Sequence, residues 1–575
     1  MPKWIESEFK TFDGVTLFYR YLKPEIDTKN TLLVLHRGHE HSGRVVDISE
    51  KLAENNAWCF SFDLRGHGKS DGDRAWAPSF NTWVKDLNSF AGHIQQQHQI
   101  KTRDMFVVAN SVGAVMAVSW ILNYNPNLKG CILGAPAFSI KLYIPLALPS
   151  LKLLSRFSSH QFVTSYVKSK LLTRDKQQAE DYDKDKLITK KIGVNILVTL
   201  FETSNNCFKR LKDFETPVLI LTAGKDVIVH NHFHEKFYNG ISSSVKKHIK
   251  LDDFKHAIFH EIEQHKLLEP CQKFIKQIFA DETLNLPAVI PTAREHTVIE
   301  YQQLTQKGSL PKQLYYTSYR WLLTHIGKYS KGVATGLKYG FDSGVSLDYV
   351  YKNTPQGANK LGTLFDKTYL NSIGWRGIRT RKKHLKQTLS NIIDVVKNSG
   401  KEPIIFDVAS GGARYLFEIQ TEKDYPIQLY LNDIDPASVS LAKEIAKQSN
   451  VINASFSNQD IFNTDLSWDF KKPPNIIVIS GVFELYENNQ HINYTLNHLF
   501  DVLEDGGYLI YTGQPWHPQI EMIGRLLNNR QGKRWIMRRR TQKEMDQLVE
   551  ASGFKKVSSL ADDLGIFTVS FAKKE

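Results

Sequence analysis

The chain has 575 residues, of which 41% are hydrophobic and 23% charged, an ordinary globular composition whose length predicts two or more domains. Its 74 lysines and arginines exceed its 60 acidic residues, and the formal net charge of +14 favours anionic surfaces or substrates only weakly. No zinc-ligand spacing, basic heptad helix or aromatic RNA-binding signature accompanies this charge, so we expect no nucleic-acid partner.

Residues 1–18 mix charged and apolar side chains and lack the apolar core of a signal peptide. The four cysteines are scattered without CxxC spacing, which favours a reducing compartment. The best apolar run, 140–154, is short and is interrupted by Pro145 and Pro149. We therefore expect a cytoplasmic protein whose membrane contact, if any, is peripheral. The sequence leaves the oligomeric state open.

From Thr31, short apolar strands alternate with amphipathic segments, which predicts an α/β fold with a mainly parallel sheet covered on both faces. The predicted strands are 31–35, 58–63, 105–109, 129–134 and 217–222. Between about 137 and 211 this alternation gives way to a basic, leucine-rich, helix-like stretch, which indicates an inserted cap. We assign residues 1–280 to this first domain.

The strand 105–109 runs directly into Ser111, and Gly113 and the small residues Ala114 and Ala117 follow on a predicted helix. A serine on a tight strand-to-helix turn needs small neighbours because the two backbones pass close to each other. A lone Ser-x-Gly is a weak signal, so the residues that follow it along the chain must support the assignment.

Two further side chains follow in the order that supports a nucleophilic serine. Asp226 comes just after the strand 217–222, and His256 lies in a later loop. In this chemistry His256 removes the proton of Ser111, while Asp226 orients and stabilises the imidazolium. Singly, each residue is more often a buried serine, a turn aspartate or a surface histidine, but the order serine, acid, histidine is that of the α/β-hydrolases.

The segments 36–44 (HRGHEHSGR) and 63–70 (DLRGHGKS) resemble the monoacylglycerol lipase and lysophospholipase group of serine hydrolases. The resemblance covers about 1–280 and implies an oxyanion hole formed by the amides of Gly38 and Val112. This sequence departs from the family at Arg37 and His39, where glycine is usual. The resemblance accounts for the local histidines without a metal, so we expect none.

The cap segment 140–172 interleaves leucine and isoleucine with lysine and arginine. One interpretation is that this segment admits an acyl chain or rests on an anionic membrane. The alternative is a helical lid with a solvated basic face, and the sequence does not distinguish the two.

Residues 281–307, with Pro287 and Pro291, are predicted to form a linker, and 308–400 a helical lead-in to the next domain. A second α/β series occupies 401–575. Its predicted strands are 404–407, 428–432, 455–457, 475–480 and 508–512, followed by two β-like runs at 555–559 and 566–572. We expect a Rossmann-like sheet with its own core.

Acidic and small residues follow successive strands of this second series, which is typical of a nucleotide-like cofactor site. We expect the acids to accept from ribose hydroxyls and from an adenine amine, and the small residues to allow close approach. The candidate cofactor-binding residues are Asp407, Ala409, Gly411, Asp433, Asp460, Ile461 and Ser480. A dehydrogenase fits less well because no GxGxxG opens a helix here.

This pattern resembles the class I S-adenosylmethionine-dependent methyltransferases. It most resembles a bacterial group in which such a domain follows a lipase-like hydrolase, on the segments 372–377 (SIGWRG) and 513–519 (GQPWHPQ). The resemblance spans about 308–575 and implies S-adenosyl-L-methionine as cofactor. A structural domain that has lost its ligand is the alternative.

Residues after the fourth and fifth strands of this series should face the methyl donor and acceptor. Glu484, Trp516 and His517 are the acceptor-pocket candidates, and His517 could remove a proton from the acceptor or simply hold its loop. Arg538, Arg539 and Arg540 could grip phosphate, although a solvated helix face is the preferred interpretation.

The sequence thus predicts a bifunctional enzyme. The first half should hydrolyse a lipid-like ester, such as a monoacylglycerol or lysophospholipid, and the second should methylate an oxygen or nitrogen acceptor. The alternative is that one half is an inactive module that binds lipid or S-adenosylmethionine.

Overall fold

The structure, a computed structural model, describes residues 3–54, 56–157, 160–281, 293–463 and 468–575. The chain divides into two compact units, Met1–Leu286 and Pro287–Glu575. Much of the predicted linker, 282–292, lies outside the described residues. The rest of that linker differs from the prediction, because a helix occupies Glu295–Thr305.

The first unit contains strands and helices in alternation. Its strands are β1 (Ile5–Lys10), β2 (Thr16–Leu22), β3 (Thr31–Leu35), β4 (Trp58–Phe62), β5 (Met105–Asn110), β6 (Gly130–Gly134), β7 (Phe162–Thr164), β8 (Lys191–Gly193), β9 (Val218–Ala223) and β10 (Lys246–Leu251). Within the described residues, eight of them form one sheet in the order β1-β2-β4-β3-β5-β6-β9-β10. Strand β2 runs antiparallel to β1 and β4, and the pairs from β4 to β10 are parallel.

Helices cover both faces of this sheet, as expected for parallel strands that are apolar throughout. The covering helices are α1 (Val46–Ala53), α2 (Phe80–His98) and α3 (Val112–Tyr124), and, after the cap, α8 (His232–Gly240) and α9 (His265–Ala280). The cap consists of α4 (Ala147–Phe157), α5 (Ser169–Leu172), α6 (Lys176–Lys184) and α7 (Val194–Phe208), together with the β7–β8 hairpin. The cap lies between β6 and β9, and the α/β fold is confirmed.

The second unit begins with helices and continues as a second α/β layer. Its helices are α10 (Glu295–Thr305), α11 (Leu310–His325), α12 (Lys331–Tyr339), α13 (Gly344–Lys352), α14 (Lys360–Leu370), α15 (Ile373–Asn398), α16 (Arg414–Glu422), α17 (Pro436–Gln448), α18 (Asn489–Val502), α19 (Ile520–Leu526) and α20 (Gln542–Ala551). Its strands are β11 (Ile404–Asp407), β12 (Gln428–Asn432), β13 (Ala454–Ser457), β14 (Ile476–Ile479), β15 (Tyr508–Gly513), β16 (Phe554–Ala561) and β17 (Thr568–Lys574).

In the described part of the second unit, seven strands form a sheet in the order β13-β12-β11-β14-β15-β17-β16. The pairs from β13 to β15 are parallel, whereas β17 runs antiparallel to β15 and β16. The order reverses direction at β11 and β14, so the loops at the carboxyl ends of these strands border a crevice. This is the position where open α/β sheets bind ligands.

Each sheet has its own core. The long helix α15 packs Leu389 and Ile393 against one face of the second sheet, and α18 packs Ile492 and Leu496 against the other. Among the described residues, every helix is either too short or too polar to cross a membrane.

Candidate active sites

Ser111 occupies the turn between β5 and α3 with φ 55° and ψ −115°. A residue other than glycine keeps a positive φ only where its surroundings enforce it. Here the Ser111 amide donates to the Gly134 carbonyl at 2.8 Å, and the Ser111 carbonyl accepts from the Ala137 amide at 3.0 Å. A Cβ on Gly113 would lie 2.8 Å from the His36 carbonyl oxygen, so this close approach of strand and helix requires glycine.

The structure brings Ser111, Asp226 and His256 together at the carboxyl edge of the first sheet. The His256 Nε2 lies 2.7 Å from the Ser111 Oγ, and the His256 Nδ1 lies 2.7 Å from the Asp226 Oδ2. Asp226 follows β9 and His256 follows β10, while all three side chains are buried. The result is a hydrogen-bonded chain of hydroxyl, imidazole and carboxylate.

The second oxygen of Asp226 is also held in place. Its Oδ1 accepts hydrogen bonds from the amides of Ile228 at 2.7 Å and Val229 at 3.1 Å. Burial by itself raises the pKa of Asp226, but His256 and these two amides outweigh burial and hold the pKa below its ordinary value. Asp226 is therefore charged at neutral pH and can stabilise an imidazolium at His256.

An apolar cavity of about 360 Å³ opens onto this chain of side chains beneath the cap. Ser111, His256, Gly38 and Val112 border it, and the remaining walls come mainly from the cap. The apolar cap residues in the lining are Ile140, Leu142, Ile144, Leu151, Val163, Val167, Leu172, Ile192, Leu197 and Leu200. The cavity therefore suits an apolar chain next to Ser111.

The predicted oxyanion-hole residues, Gly38 and Val112, lie side by side. A Cβ built on Gly38 would lie 3.2 Å from the Val112 Cγ2. Val112 is the first residue of α3, so its amide has no acceptor within the helix. Its backbone N–H thus remains available to a ligand oxygen beside Ser111.

Arg37 and His39, where glycine is usual in the resembling family, are accommodated differently. The Arg37 Nε donates to the Glu40 Oε2 at 3.0 Å, and its Nη2 donates to Oε1 of the same carboxylate. Burial raises the pKa of Glu40, but Arg37 outweighs burial and lowers it to about 2. His39 has φ 70°, a conformation that favours glycine. Both residues border the cavity, and Arg37 is neutralised there by Glu40.

In the second unit, a cleft forms at the carboxyl ends of β11 to β14. All predicted cofactor-binding residues except Asp407 line this cleft. They are Ala409, Gly411, Asp433, Asp460, Ile461 and Ser480. The structure therefore assembles one site from four consecutive strand ends.

Asp433 is the best-organised acid of the cleft. Its Oδ2 accepts from the Gly411 amide at 2.8 Å, and its Oδ1 accepts from the Asp435 amide at 2.9 Å. Each carboxylate oxygen keeps further lone-pair sites, so Asp433 can accept from two adjacent ribose hydroxyls. Gly411 has φ 55°, and a Cβ there would lie 3.4 Å from the Gly344 Cα. The acid and the small-residue loop fit S-adenosylmethionine.

The prediction that Asp407 contacts the cofactor is not supported, because its carboxylate lies beneath the loop. It accepts from the Tyr415 hydroxyl and, at 3.3 Å, from the Ala409 amide. Burial raises the pKa of Asp407 to about 7, partly offset by these hydrogen bonds. Asp407 thus positions the loop that borders the cleft instead of lining the cleft itself.

The helical lead-in supplies a wall of the cleft that sequence reasoning missed. Its lining residues are Asp342, Gly344, Leu347, Asp348, Tyr351 and Arg381. Asp348 is paired with Arg414 of α16, with the Arg414 Nη2 at 3.1 Å from Oδ2. No local pattern reveals this contact because the two residues are 66 positions apart.

A second cavity, of about 450 Å³, adjoins the cleft. The two share Asp342, Leu347, Arg381, Gly481 and Leu485. Most of its wall is apolar, and the apolar lining residues include Leu322, Leu323, Ile326, Val333, Phe341, Phe365, Trp375, Ile378, Met522, Ile523, Leu526, Leu527, Trp535, Met537 and Phe567.

Two of the three acceptor-pocket candidates, Glu484 and His517, line this second cavity. Trp516 does not, contrary to the prediction. Its Nε1 donates to the Leu564 carbonyl at 3.0 Å, and its ring packs in the same buried cluster as Trp375. In the loop after β15, Trp516 therefore faces the core and His517 faces the cavity.

Arg381 is a buried cation in the wall of the second cavity. This residue is 3% exposed, and among the described residues its Nε has no hydrogen-bond partner. Its Nη1 lies 3.9 Å from the Glu484 Oε1, which is an ion-pair distance beyond hydrogen-bonding range. The guanidinium also lies 5.3 Å from the centre of the Phe567 ring.

His517 presents a defined face to the cavity. Its Nδ1 accepts from the Gln519 amide at 3.0 Å. Because a backbone N–H can only donate, the neutral ring carries its proton on Nε2. Burial lowers the pKa of His517 to about 4, so the ring is neutral at neutral pH. A Cβ on Gly374 would lie 3.0 Å from Nε2, which places this donor at the cavity wall.

Both interpretations of the arginine cluster are wrong, because Arg538, Arg539 and Arg540 are buried and paired within the protein. Arg538 donates to Glu544 at 2.7 Å. Arg540 donates to the carbonyls of Phe483 at 2.6 Å and Tyr486 at 2.8 Å. Burial lowers the pKa of Arg540 to about 9. The cluster therefore holds the loop after β14, which contributes Glu484 and Leu485 to the cavity.

Each half of the chain matches a different family model. Residues 26–263 match the family model described as "Serine aminopeptidase, S33". Residues 271–574 match the family model described as "Putative methyltransferase".

Similar proteins fall into two groups by the share of the chain that they match. YnbC of Escherichia coli K12 is 37% identical over 575 residues, 99% of this chain and 98% of that protein. The human monoglyceride lipase is 24% identical over 269 residues, 44% of this chain and 86% of that protein. Phospholipase YtpA of Bacillus subtilis is 24% identical over 251 residues, 43% of this chain and 95% of that protein.

Among solved structures, the monoacylglycerol lipase of Paleococcus ferrophilus aligns with a TM-score of 0.41 and 20% identity, over 48% of this chain and 99% of that chain. A monoglyceride lipase variant from Saccharomyces cerevisiae aligns with a TM-score of 0.43 and 18% identity, over 48% of this chain and 96% of that chain.

The family match from residue 271 to 574 covers more than half of the chain, and YnbC matches from end to end. The chain therefore belongs to this methyltransferase family and carries its methyltransferase domain after an N-terminal α/β-hydrolase domain of the S33 type, in the same order as YnbC.

Proposed function

We propose that the first unit is a serine esterase that hydrolyses a lipid-like ester, such as a monoacylglycerol or lysophospholipid. The observation that carries this proposal is the hydrogen-bonded chain from Ser111 through His256 to Asp226 at the mouth of an apolar cavity. A monoglyceride lipase and a phospholipase are among the proteins similar to this half.

The geometry supports a two-step reaction. In the first step the His256 Nε2 accepts the Ser111 proton as Oγ attacks the ester carbonyl, and Asp226 stabilises the imidazolium. The amides of Gly38 and Val112 donate to the oxygen on which negative charge develops. His256 then gives its proton to the leaving alcohol. In the second step it activates the water that releases the acid from Ser111.

The cap cavity favours an acyl chain over a short polar ester. Its walls are aliphatic from Ile140 to Leu200, so burying methylene groups there contributes about 0.8 kcal/mol each. The exposed cap residues Lys152, Lys168 and Lys170 would additionally suit a peripheral contact with anionic lipid.

Hydrolysis of p-nitrophenyl esters of increasing chain length tests the esterase. We expect the intact protein to prefer the longer acyl chains, and Ser111→Ala to lose activity by about 10⁴-fold or more. Ser89→Ala on α2, whose hydroxyl donates to the Lys85 carbonyl, is the matched control. Equal rates for wild type and Ser111→Ala would instead favour an inactive lipid-binding module, and faster cleavage of an aminoacyl anilide would favour a peptidase.

We further propose that the second unit transfers a methyl group from S-adenosylmethionine to an oxygen or nitrogen acceptor. The observation that carries this proposal is the cleft in which Asp433, Gly411 and Asp460 meet at consecutive strand ends. The bound cofactor supplies an electrophilic methyl group on a sulfonium.

In this reaction the residues of the chain bind and orient the cofactor and the methyl acceptor. Asp433 would accept from the ribose hydroxyls, and Asp460, whose Oδ1 accepts from the Phe462 amide at 3.0 Å, would accept from an adenine amine. Leu485 and Leu347 border both the cleft and the apolar cavity, so they exclude water from the junction between donor and acceptor. Methyl transfer depends mainly on such alignment and desolvation.

Calorimetric titration with S-adenosylmethionine tests this proposal. We expect the intact protein to bind the cofactor and Asp433→Asn to bind at least about tenfold more weakly, since a charged acceptor is lost. Glu444→Gln, on the exposed face of α17, removes a carboxylate outside the cleft and should change nothing. Absence of binding by the intact protein would remove the methyltransferase proposal and favour a domain without its ligand.

A further inference from the structure

The apolar cavity of the second unit contains a buried cation, Arg381, whose Nε has no hydrogen-bond partner among the described residues. At about 450 Å³ it lies within the range of about 300–1,000 Å³ typical of ligand sites. Arg381 and Asp342 line both the cavity and the cleft, so they stand where the two meet. A ligand of matching form has a long apolar part and one polar end.

Arg381 specifies the charge of that polar end. A buried guanidinium requires a counter-charge and hydrogen-bond acceptors in close contact. Within the described residues Arg381 Nε has no partner, and the nearest carboxylate contact, to Glu484, is 3.9 Å long. An anionic acceptor group with two oxygens would fit the fork of the guanidinium, while an ammonium group would be repelled.

His517, another polar residue of this cavity, can donate a hydrogen bond but cannot take up a proton at neutral pH. The His517 Nε2 carries hydrogen because Nδ1 accepts from the Gln519 amide. Burial raises the pKa of Glu484, although Arg381 opposes this effect, so Glu484 favours its protonated form more than an exposed glutamate does. An alcohol acceptor would need a base to remove its proton, whereas a carboxylate is already deprotonated at neutral pH.

We propose that the methyl acceptor is the carboxylate of a long-chain fatty acid, held by Arg381 with its alkyl chain in the apolar cavity. This inference rests on the proposed methyltransferase function. An oxygen of the carboxylate attacks the sulfonium methyl carbon, so a C–O bond forms and the C–S bond breaks. The electron pair of that bond passes to sulfur, which becomes a neutral thioether, and the fatty acid becomes its methyl ester. No proton is transferred.

Binding of fatty acid without cofactor tests the proposal independently of turnover. Dodecanoate and dodecan-1-ol are titrated calorimetrically into the full-length protein and into Arg381→Gln. Because the cavity beside Ser111 also accepts acyl chains, the readout is the component that depends on Arg381. We expect wild type to bind dodecanoate at least about tenfold more tightly than dodecan-1-ol, a difference of about 1.4 kcal/mol. Arg381→Gln should abolish this preference, and Arg381→Lys should retain part of it.

Two results would overturn the proposal. One is equal affinity of wild type for the acid and the alcohol, and the other is an unchanged preference in folded Arg381→Gln. If Arg381→Gln does not fold, Ile378→Trp serves instead, because it fills the apolar cavity and leaves the guanidinium intact. This variant should lose the preference for dodecanoate over dodecan-1-ol, and an unchanged preference would count against the proposal.

The same samples separate the failure of this inference from failure of the proposed function. A protein that binds S-adenosylmethionine normally but shows no preference for dodecanoate refutes the fatty-acid acceptor alone. A protein that fails to bind S-adenosylmethionine refutes the methyltransferase, whatever dodecanoate does.

Discussion

Ser111 and His517 illustrate how backbone contacts determine what a side chain can do. The positive φ of Ser111 is held by hydrogen bonds to Gly134 and Ala137, so the turn presents Oγ to His256. At His517 the Gln519 amide selects the tautomer, which makes Nε2 a hydrogen-bond donor and disfavours the interpretation of His517 as a base. Neither restraint can be recognised from the residue type, because each depends on the backbone of other residues.

Asp226→Asn should reduce kcat for ester hydrolysis by about 10⁴-fold while changing KM little, because the amide neither stabilises the imidazolium nor maintains the tautomer of His256. Steady-state kinetics with a long-chain p-nitrophenyl ester measures this effect. Asp252→Asn is the control, since Asp252 is an exposed residue of the loop that carries His256 and pairs with Lys250. A kcat close to that of wild type for Asp226→Asn would contradict the assigned role.

His517→Gln should weaken the dependence of stability on acidity. The pKa of His517 in the folded protein is about 4, below the ordinary value of 6.5. Its contribution to the free energy of unfolding is therefore present above pH 6.5 and is lost as the pH falls through about 4. Each unit of pKa difference corresponds to about 1.4 kcal/mol. On acidification, the free energy of unfolding of the variant should therefore fall by about 1–3 kcal/mol less than that of wild type.

Melting temperatures measured across this pH window check the prediction for His517. The exposed His491→Gln serves as the control because it lies in the same unit. If the melting temperatures of His517→Gln and wild type depend on pH in the same way, the pKa of His517 is not lowered in the folded protein.

At the scale of elements, the central strands buried on both faces were predicted closely, whereas the polar edge strands of the first sheet were missed. β3, β11 and β12 begin and end at the predicted residues, since a central parallel strand is a continuous apolar run between breaks. β1 and β10 were missed because polar side chains, including three lysines and one histidine in β10, occupy sheet edges where only one neighbour pairs.

The helical lead-in is a part of the cofactor cleft, which its sequence does not reveal. α13 begins at Gly344, and a Cβ there would lie 2.8 Å from the Gly411 Cα and 2.5 Å from the Ser438 Oγ. The start of this helix thus rests directly on the small-residue loop after β11. The same principle applies to Arg540, which holds the loop after β14 through its carbonyls.

Gly344→Val should weaken binding of S-adenosylmethionine by about tenfold or more. The valine side chain would push the Gly411 loop out of position, because the two backbones are closely packed there. Calorimetric titration measures the affinity, and a melting curve confirms that the variant folds. Gly92→Ala, on α2 where an added Cβ meets nothing within 4 Å, is the control. Unchanged affinity in folded Gly344→Val would exclude this packing role.

At the scale of the whole molecule, the two proposed reactions are chemically consecutive. Hydrolysis of an ester at Ser111 releases a fatty acid, and that carboxylate is the acceptor inferred for the cavity beside Arg381. Diffusion of the acid through solvent is enough to connect the two steps.

The full-length protein, supplied with a monoacylglycerol and S-adenosylmethionine, should therefore form a fatty acid methyl ester detectable by mass spectrometry. Ser111→Ala should form no methyl ester from the monoacylglycerol but should form it from added fatty acid, because only the first step is lost. Arg381→Gln should release fatty acid without methylating it. Methyl ester formation by Ser111→Ala from the monoacylglycerol would contradict the proposed sequence of reactions.

The sequence by itself determined the two α/β units, the order serine, acid and histidine, and the acids at successive strand ends. These features are local, because strand periodicity and turn composition depend on neighbouring residues. Tertiary structure decided that Asp407 and Trp516 turn inward, that Arg538 to Arg540 are buried, and that Arg381 stands at the junction of cleft and cavity. Such properties depend on contacts between residues far apart in the chain, and only packing specifies which side chains face a cavity and which lack a partner.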